Sequence, residues 1–228
     1  MSSDPNIPAV NPLPPVVAAL FLVIMGIEVT FFLGTRGLIG GPEAVGWRLD
    51  AINRYAFSSE IFAWMRQNNV WPTEHLIRFV SYSFVHVSFT QALFAGVFVL
   101  AMGKMVAEAF GSIAMLLVFV VSGIGGALVY GLVLPDATWL IGGFPAVYGL
   151  IGAFTFLLWR SLATVGANQT RAFSLIAMLM GIQLLFGLLF GGNNDWVADL
   201  AGFATGFGLS FFLVPGGWAA IRNLIRRD

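Results

Sequence analysis

Very few side chains in this sequence could carry acid–base or nucleophilic chemistry. The chain has no cysteine and only two histidines, so we expect no metal site and no cofactor. Asp199 lies within the apolar stretch "DWVADLAGFATGFGLSFFL", where an acidic side chain must be protonated, hydrogen-bonded or functional. Asp195 precedes it by one helical turn, and Ser83 and Ser88 flank His86. We interpret the two serines as capping or interface residues, because they lie on one local segment.

The composition indicates what kind of element must hold these residues. The 228 residues are 58% hydrophobic and 10% charged, whereas soluble domains carry roughly 25% charged residues. A net charge of zero gives no sign of nucleic-acid binding. Apolar runs of about 20 residues can cross a bilayer. We therefore predict an all-α polytopic membrane protein with spans at 15–34, 77–102, 113–134, 138–159, 172–190 and 196–215.

The predicted organisation is a single membrane domain, residues 15–216, between two short tails. Residues 1–14 form a flexible cytoplasmic tail and 217–228 a basic cytoplasmic tail. The long first loop, 35–76, carries aromatic residues at helical spacing, which is typical of helices at the membrane interface. Basic residues concentrate in alternate short loops, so we expect both termini in the cytoplasm.

The stretch "WLIGGFPAVYGLIGA" predicts a helix that begins inside the protein. Proline is favoured in the first turn of a helix, so the fourth helix should begin at Pro145 and run to Trp159, about 22 Å. Gly142 and Gly143 give the preceding irregular backbone its freedom to turn. Such backbone is tolerated at membrane depth only where the protein or a cavity satisfies it.

Small residues recur in the fourth and sixth spans at a spacing that favours close helix packing. With the two glycines before the fourth span, the predicted packing positions are Gly142, Gly143, Ala146, Gly149, Ala198, Gly202 and Gly206.

Four segments together resemble one family of membrane proteins. They are "WRL" in the first loop, "LIRFVSYSFVH" at the predicted start of the second span, "GGFPAVYGLIGA" and "NDWVADLAGFATG". They resemble motifs of the rhomboid family of intramembrane serine proteases, over nearly the whole chain. The resemblance implies a six-helix rhomboid-like bundle with an interfacial first loop.

The sequence departs from the family at the positions that carry catalysis. By the resemblance, the nucleophilic serine falls on Phe144 and the catalytic histidine on Asp199. The oxyanion-side histidine and asparagine fall on Gln91 and Ala95, while His86 keeps a family histidine. Phenylalanine has no nucleophile, and a carboxylate cannot replace the imidazole that activates one. We therefore expect a rhomboid pseudoprotease, not an enzyme.

The resemblance implies that an inactive member keeps the family's surface for transmembrane helices. Inactive relatives such as derlins and iRhoms escort membrane proteins to degradation or trafficking. We expect a factor of the bacterial inner membrane that binds client membrane proteins in quality control or regulated degradation and could deliver them to a membrane ATPase protease. The alternative is a permanent scaffold or assembly subunit of a hetero-oligomeric complex, which could include another rhomboid-like chain.

Two other readings have less support in the sequence. An aspartyl-protease dyad of Asp195 and Asp199 is disfavoured, because intramembrane aspartyl proteases place their two acids on different helices. A small-solute transporter would fit the glycine-interrupted spans. The spans carry almost no charge, however, and the sequence shows no inverted repeat.

Several side chains have specific expected roles. We expect Phe144 and Pro145 to plug the former active-site cavity. We expect the Asp199 carboxyl to hydrogen-bond either the Tyr148 hydroxyl or a backbone donor around Gly142 and Gly143. Gln183 would hydrogen-bond a client or partner helix, because amides in lipid seek partners. The residues expected to form the soft binding surface are Met178 and Met180. By the resemblance, those that fix the first loop on the bundle are Trp47 and Arg48.

Overall fold

The computed structural model describes residues 12–136, 139–192 and 194–214. Within these ranges six helices are long and apolar enough to cross a membrane, so the predicted all-α bundle is confirmed. The predicted tails, 1–14 and 217–228, lie outside the described residues except for 12–14.

The six long helices are here numbered as spanning helices one to six. In chain order they are Pro15–Thr35, Phe89–Phe110, Ser112–Val133, Phe144–Thr164, Ser174–Phe190 and Trp196–Leu213. The first, third, fifth and sixth lie within two residues of the predicted bounds. A 3₁₀ turn, Gln169–Phe173, leads into the fifth.

The second spanning helix begins twelve residues later than the predicted start at 77. The segment "LIRFVSYSFVH" instead forms a short helix, Arg78–Ser81, and a 3₁₀ turn, Tyr82–Phe84, before the backbone becomes extended. Ser88 then caps the spanning helix, because its hydroxyl accepts a hydrogen bond from the Gln91 N–H at 3.2 Å. The prediction was wrong because apolar residues recur on both sides of this break, so hydropathy does not reveal it.

The first loop folds into short helices that pack against the first and third spanning helices. They are a 3₁₀ turn, Pro42–Gly46, and helices Trp47–Tyr55, Ser59–Asn68 and Thr73–Leu76. Large apolar side chains of the loop, such as Trp64 and Trp71, are exposed. The helical content of the loop agrees with the sequence pattern, and its position at a membrane interface stays a prediction.

A two-stranded sheet guides the chain to the fourth spanning helix. Trp139–Leu140 pairs antiparallel with Phe57–Ser58 of the first loop. After two further irregular residues and Gly143, the helix begins at Phe144 with Pro145 in its first turn. The buried start of the helix is as predicted. Its predicted shortness was wrong, because its 21 residues continue to Thr164 and span about 31 Å.

The fourth spanning helix forms the centre of the bundle. It packs against the third and sixth helices, and it is the most buried of the six. The fifth is the least buried of the six. The arrangement therefore places the start of the fourth helix, with the irregular backbone before it, among side chains from several other elements.

Candidate functional site

The candidate site is built around the start of the fourth spanning helix. Gly142 has φ +104°, a conformation that side chains rarely adopt, and its N–H donates to the Tyr82 carbonyl oxygen at 3.0 Å. A Cβ on Gly142 would also lie 2.9 Å from the Gln91 amide nitrogen. Glycine is therefore required here both by the backbone conformation and by the close approach of Gln91.

His86 holds the next residue of this turn. The Gly143 N–H donates to His86 Nε2 at 3.2 Å, so that the imidazole is a neutral acceptor with its proton on Nδ1. The ring is almost fully buried, and burial, followed by the positive charge of Arg48, lowers the pKa of His86 to about 4. At neutral pH this histidine is uncharged and positions backbone.

The resemblance predicts Gln91 and Ala95 at the oxyanion-side positions, and Gln91 lies beside the same turn. The Gln91 carbonyl oxygen accepts from the Val87 N–H at 2.8 Å, and its amide nitrogen donates to the Ile141 carbonyl at 3.2 Å. Gln91 thus connects, by hydrogen bonds, the start of the second spanning helix with the backbone segment that precedes the fourth. Ala95, one turn further along, is fully buried and apolar.

Asp199 belongs to a chain of three polar side chains across the fourth, fifth and sixth helices. The Gln183 amide nitrogen donates to Asp199 Oδ2 at 2.8 Å, and the Tyr148 hydroxyl donates to the Gln183 carbonyl oxygen at 3.3 Å. The expected direct pair of Asp199 and Tyr148 was wrong, because the amide of Gln183 lies between them. Each end of the Gln183 amide has one partner within this protein, and the expectation that Gln183 also hydrogen-bonds a client or partner helix stays a prediction.

A cavity of about 370 Å³ opens beside this polar chain. Phe144 and Pro145 line it together with Tyr148, Gln183 and Asp199, and apolar residues of the fifth helix also line it. The expectation that Phe144 and Pro145 plug the site was therefore wrong, because both line the space without filling it. Among the described lining residues there is no serine, threonine or cysteine.

Close packing of the fourth and sixth spanning helices fixes the position of Asp199 relative to the start of the fourth helix. A Cβ on Gly202 would collide with the carbonyl oxygen of Pro145, and one on Gly206 with that of Gly149. A Cβ on Gly149 would in turn meet the side chain of Ser122 on the third helix. Ala146 and Ala198, also expected at this interface, are both fully buried. These small residues let the backbones touch, so the helix carrying Asp199 is held against the fourth.

An ion pair fixes the first loop on the bundle. Arg48 donates two hydrogen bonds to the carboxylate of Glu28 in the first helix, at 2.5 and 2.9 Å, and a third to the His86 carbonyl oxygen at 2.7 Å. Trp47 packs where a Cβ on Gly34 or Gly40 would lie. The contacts of Trp47 and Arg48 support the expected anchoring role. The sequence showed Glu28 as an isolated charge in a span and gave no sign that Arg48 was its partner.

The other expected residues lie away from the polar chain. Met178 is exposed on the fifth helix, whereas Met180 is partly buried against the core. Ser83 is buried and does not line the cavity, and Ser88 is the helix cap described above. The described residues contain no group of three or more acidic, histidine or cysteine side chains that could hold a metal ion.

Similarity to known proteins agrees with this architecture. A family model described as "Rhomboid domain" matches residues 73–216. The chain is 30% identical over 152 residues to RHOMBOID-like protein 4 and over 149 residues to RHOMBOID-like protein 2, both of Arabidopsis thaliana. These matches cover 64% of this chain in each case, but 37% and 46% of the two relatives. RHOMBOID-like protein 6, mitochondrial, of the same plant is 30% identical over 131 residues, 55% of this chain and 40% of that relative.

The fold and the site define a polytopic membrane protein with a polar centre at a buried helix start. Because the family model covers more than half of the sequence, the chain belongs to the rhomboid family. Its matched region spans less than half the length of the curated relatives above.

Proposed function

We propose that this chain is a catalytically inactive rhomboid that binds transmembrane helices of other membrane proteins. The observation that carries the proposal is the cavity at the start of the fourth helix, which is open but lined by Phe144 where the family motif places its nucleophile. A site that keeps its space while lacking a nucleophile is suited to binding without cleavage.

The contacts of the neighbouring polar groups support the absence of catalysis. The Asp199 carboxylate accepts from Gln183, and the described residues that line the cavity with it include no serine, threonine or cysteine that it could activate. His86 accepts the Gly143 N–H, so its Nε2 is not available as a general base. The side-chain amide of Gln91 is hydrogen-bonded to backbone groups of this protein. Loss of a nucleophile or its base costs about 10⁶ in kcat in a soluble serine protease.

The fifth helix supports the binding part of the proposal. By the family resemblance, transmembrane helices are received at a lateral opening between the second and fifth spans. The fifth helix packs least against the rest of the bundle, and its exposed apolar side chains include Met178 and Ile182. Flexible methionine side chains can adapt to partners of different shape. A client helix could therefore pack here with one end near the cavity.

Reconstitution with a single-span peptide tests both parts. The peptide should bind the chain in neutral micelles and remain intact by mass spectrometry over hours. An active bacterial rhomboid in parallel micelles is the control that the peptide can be cleaved. Cleavage by this chain that is lost in Asp199→Asn would overturn the inactive assignment, and the absence of binding would overturn the binding assignment.

We further propose that the clients are membrane proteins undergoing quality control or regulated degradation, with a membrane ATPase protease as the downstream partner. The proposed location is the bacterial inner membrane, with both termini in the cytoplasm. Alkaline phosphatase fused after residue 228 should then be inactive, while a fluorescent protein fused at the same place should mature. The opposite pattern would contradict this orientation.

The second candidate is a permanent subunit of a hetero-oligomeric membrane complex, which could contain another rhomboid-like chain. The large exposed apolar surface of the fifth helix favours it as well, because a fixed partner could cover that surface. The two functions differ in stoichiometry. A permanent partner co-purifies at a constant ratio near one, whereas clients are varied and substoichiometric.

A further inference from the structure

A second cavity lies between the first loop and the third spanning helix, away from the candidate site. It has a volume of about 640 Å³ and is open to the outside. We call it the loop groove, and its main lining residues are Phe62, Arg66, Trp71, Phe79, Ile124 and Leu128. The rings of Phe62 and Phe79 are buried and pack edge to face with centroids 5.4 Å apart. Two buried rings thus give the groove a firm apolar base on the loop side.

One charged side chain, Arg66, lines the loop groove, and none of the other described lining residues is charged. Arg66 is exposed, and its guanidinium carbon lies 5.7 Å from the centre of the Phe62 ring. It forms no ion pair with any residue that the structure describes. Arginine is suited to phosphate, because its planar group offers two parallel N–H donors to two oxygens. Since the described lining offers no carboxylate to an ammonium group, the groove favours an occupant with a net negative charge.

The depth of the loop groove matches one leaflet of a bilayer. Phe62 packs against Gly131 near the end of the third spanning helix, where an added Cβ would lie 2.6 Å from the Phe62 ring. Ile124 lies about 14 Å further from that end, measured from Val133 at 1.5 Å per residue. The hydrocarbon core of a bilayer is about 30 Å thick, so the groove covers about half of it. A partner's transmembrane helix would cross the full thickness, whereas the acyl chain of a lipid occupies one leaflet.

We propose that the loop groove binds one anionic glycerophospholipid. Its phosphate accepts hydrogen bonds from the Arg66 guanidinium, and one of its acyl chains lies along Ile124 and Leu128. Trp71, which is 46% exposed, is then at the level of the headgroup, where tryptophan is enriched in membrane proteins. The lipid site does not depend on the proposed binding of client helices.

Two lipids with the same acyl chains test the charge preference. Phosphatidylglycerol and phosphatidylcholine are added in equal amounts to the delipidated full chain in dodecyl maltoside, and retained lipid is counted by native mass spectrometry. We expect one lipid per chain, with phosphatidylglycerol retained about fivefold over phosphatidylcholine, because one arginine favours an anionic lipid by about that factor. Equal retention of the two lipids would mean that the groove holds only bulk lipid, and it would overturn the proposal.

Two arginine variants assign the preference to Arg66. Arg66→Gln should abolish the preference for phosphatidylglycerol. Arg54→Gln is the matched control, because Arg54 is also an exposed arginine of the first loop beside an aromatic ring, but it does not line the groove. It should leave the preference unchanged. A preference that survives Arg66→Gln, or one that both variants reduce equally, overturns the assignment of the phosphate to Arg66.

Two variants of the third spanning helix test where the acyl chain lies. Leu128→Trp fills the groove with a larger side chain and should abolish the retention of phosphatidylglycerol. Leu117→Trp makes the same change at an exposed position outside the groove and should leave the retention unchanged. Retention of phosphatidylglycerol by the Leu128→Trp variant at the level of the unmodified chain would overturn the proposed position of the lipid.

Photo-cross-linking in the native membrane distinguishes a lipid from a protein in the groove. Trp71→benzoylphenylalanine keeps a large aromatic side chain at this lining position and reacts with neighbouring C–H bonds under ultraviolet light. We expect a covalent adduct with the mass of a phospholipid. An adduct with another membrane protein in its place, or the absence of a lipid adduct, would overturn the proposal. The proposed binding of client helices is tested separately by the single-span peptide, so either idea can fail without the other.

Discussion

Gly202→Ala is the substitution for which the structure gives the clearest energetic expectation. The added Cβ would collide with the Pro145 carbonyl oxygen and would also lie 2.8 Å from the Pro145 carbonyl carbon. These are backbone atoms at the start of a central helix, so they cannot rotate away as a side chain would. Overpacking costs typically 1–3 kcal/mol, and a rigid neighbour places the cost near the upper end of that range.

The same helix offers a matched control in Gly208→Ala. A Cβ at Gly208 has no atom within 4 Å, so only helix propensity acts there. Replacing a mid-helix glycine with alanine stabilises a helix by about 0.5–1 kcal/mol. The same gain at Gly202 offsets part of the collision, which leaves a net loss of about 2 kcal/mol.

Thermal unfolding in dodecyl maltoside, followed by circular dichroism, measures the difference. For a chain of this size about 2 kcal/mol corresponds to a Tm lower by roughly 4–8 °C in Gly202→Ala. Gly208→Ala should unfold at or slightly above the temperature of the unmodified chain. If the two variants had the same Tm, the close approach of the fourth and sixth helices at Pro145 would be refuted.

Three further perturbations address the other contacts of the site. Arg48→Met should lower the free energy of unfolding by about 3–5 kcal/mol, because it leaves the buried Glu28 carboxylate without its cation. The double variant with Glu28→Met should recover much of that loss. Equal losses in chemical unfolding of the single and double variants would contradict the ion pair. The pKa of His86 in the fold, about 4, lies below its ordinary 6.5, so the chain should lose up to about 3 kcal/mol of stability as the pH falls from 6.5 to 4. His86→Asn should lose less stability over the same pH range. The same pH dependence in both proteins would exclude this histidine as the cause. Gln183→Leu should lower the free energy of unfolding by about 1–3 kcal/mol, because it removes the hydrogen-bond partner of both Asp199 and Tyr148. Met178→Leu, at an exposed position of the same helix, should be near neutral. Similar unfolding curves for the two variants would argue against these hydrogen bonds.

Much of the architecture could be predicted from local chemistry in the sequence. Apolar runs of membrane length located the spans, because the bilayer demands about 20 apolar residues per helix. Gly142 and Pro145 located the buried helix start within one residue, because each has a conformational requirement that few other positions satisfy. The second span was misplaced, because hydropathy does not respond to a single capping serine such as Ser88.

The partners of the polar residues could not be predicted in the same way. An aspartate in an apolar span, Asp199, predicts a group that needs a partner, but the sequence favours Tyr148 on the neighbouring motif over Gln183 as that partner. Sequence spacing gives neighbours along one helix, whereas this contact depends on how three helices pack around the cavity. The pairing of Glu28 with Arg48 was missed for a similar reason, since the two lie on different elements.

The measurement that tests the central proposal most directly is quantitative purification of the tagged chain from its native membrane in mild detergent. A chain that binds transmembrane clients without cutting them should bring down several intact membrane proteins at substoichiometric and varied amounts. Asp199→Asn, purified in parallel, shows which of them depend on the cavity. One partner at a constant ratio near one would contradict client binding and support the permanent complex. Cleaved fragments that disappear with Asp199→Asn would contradict the inactive assignment.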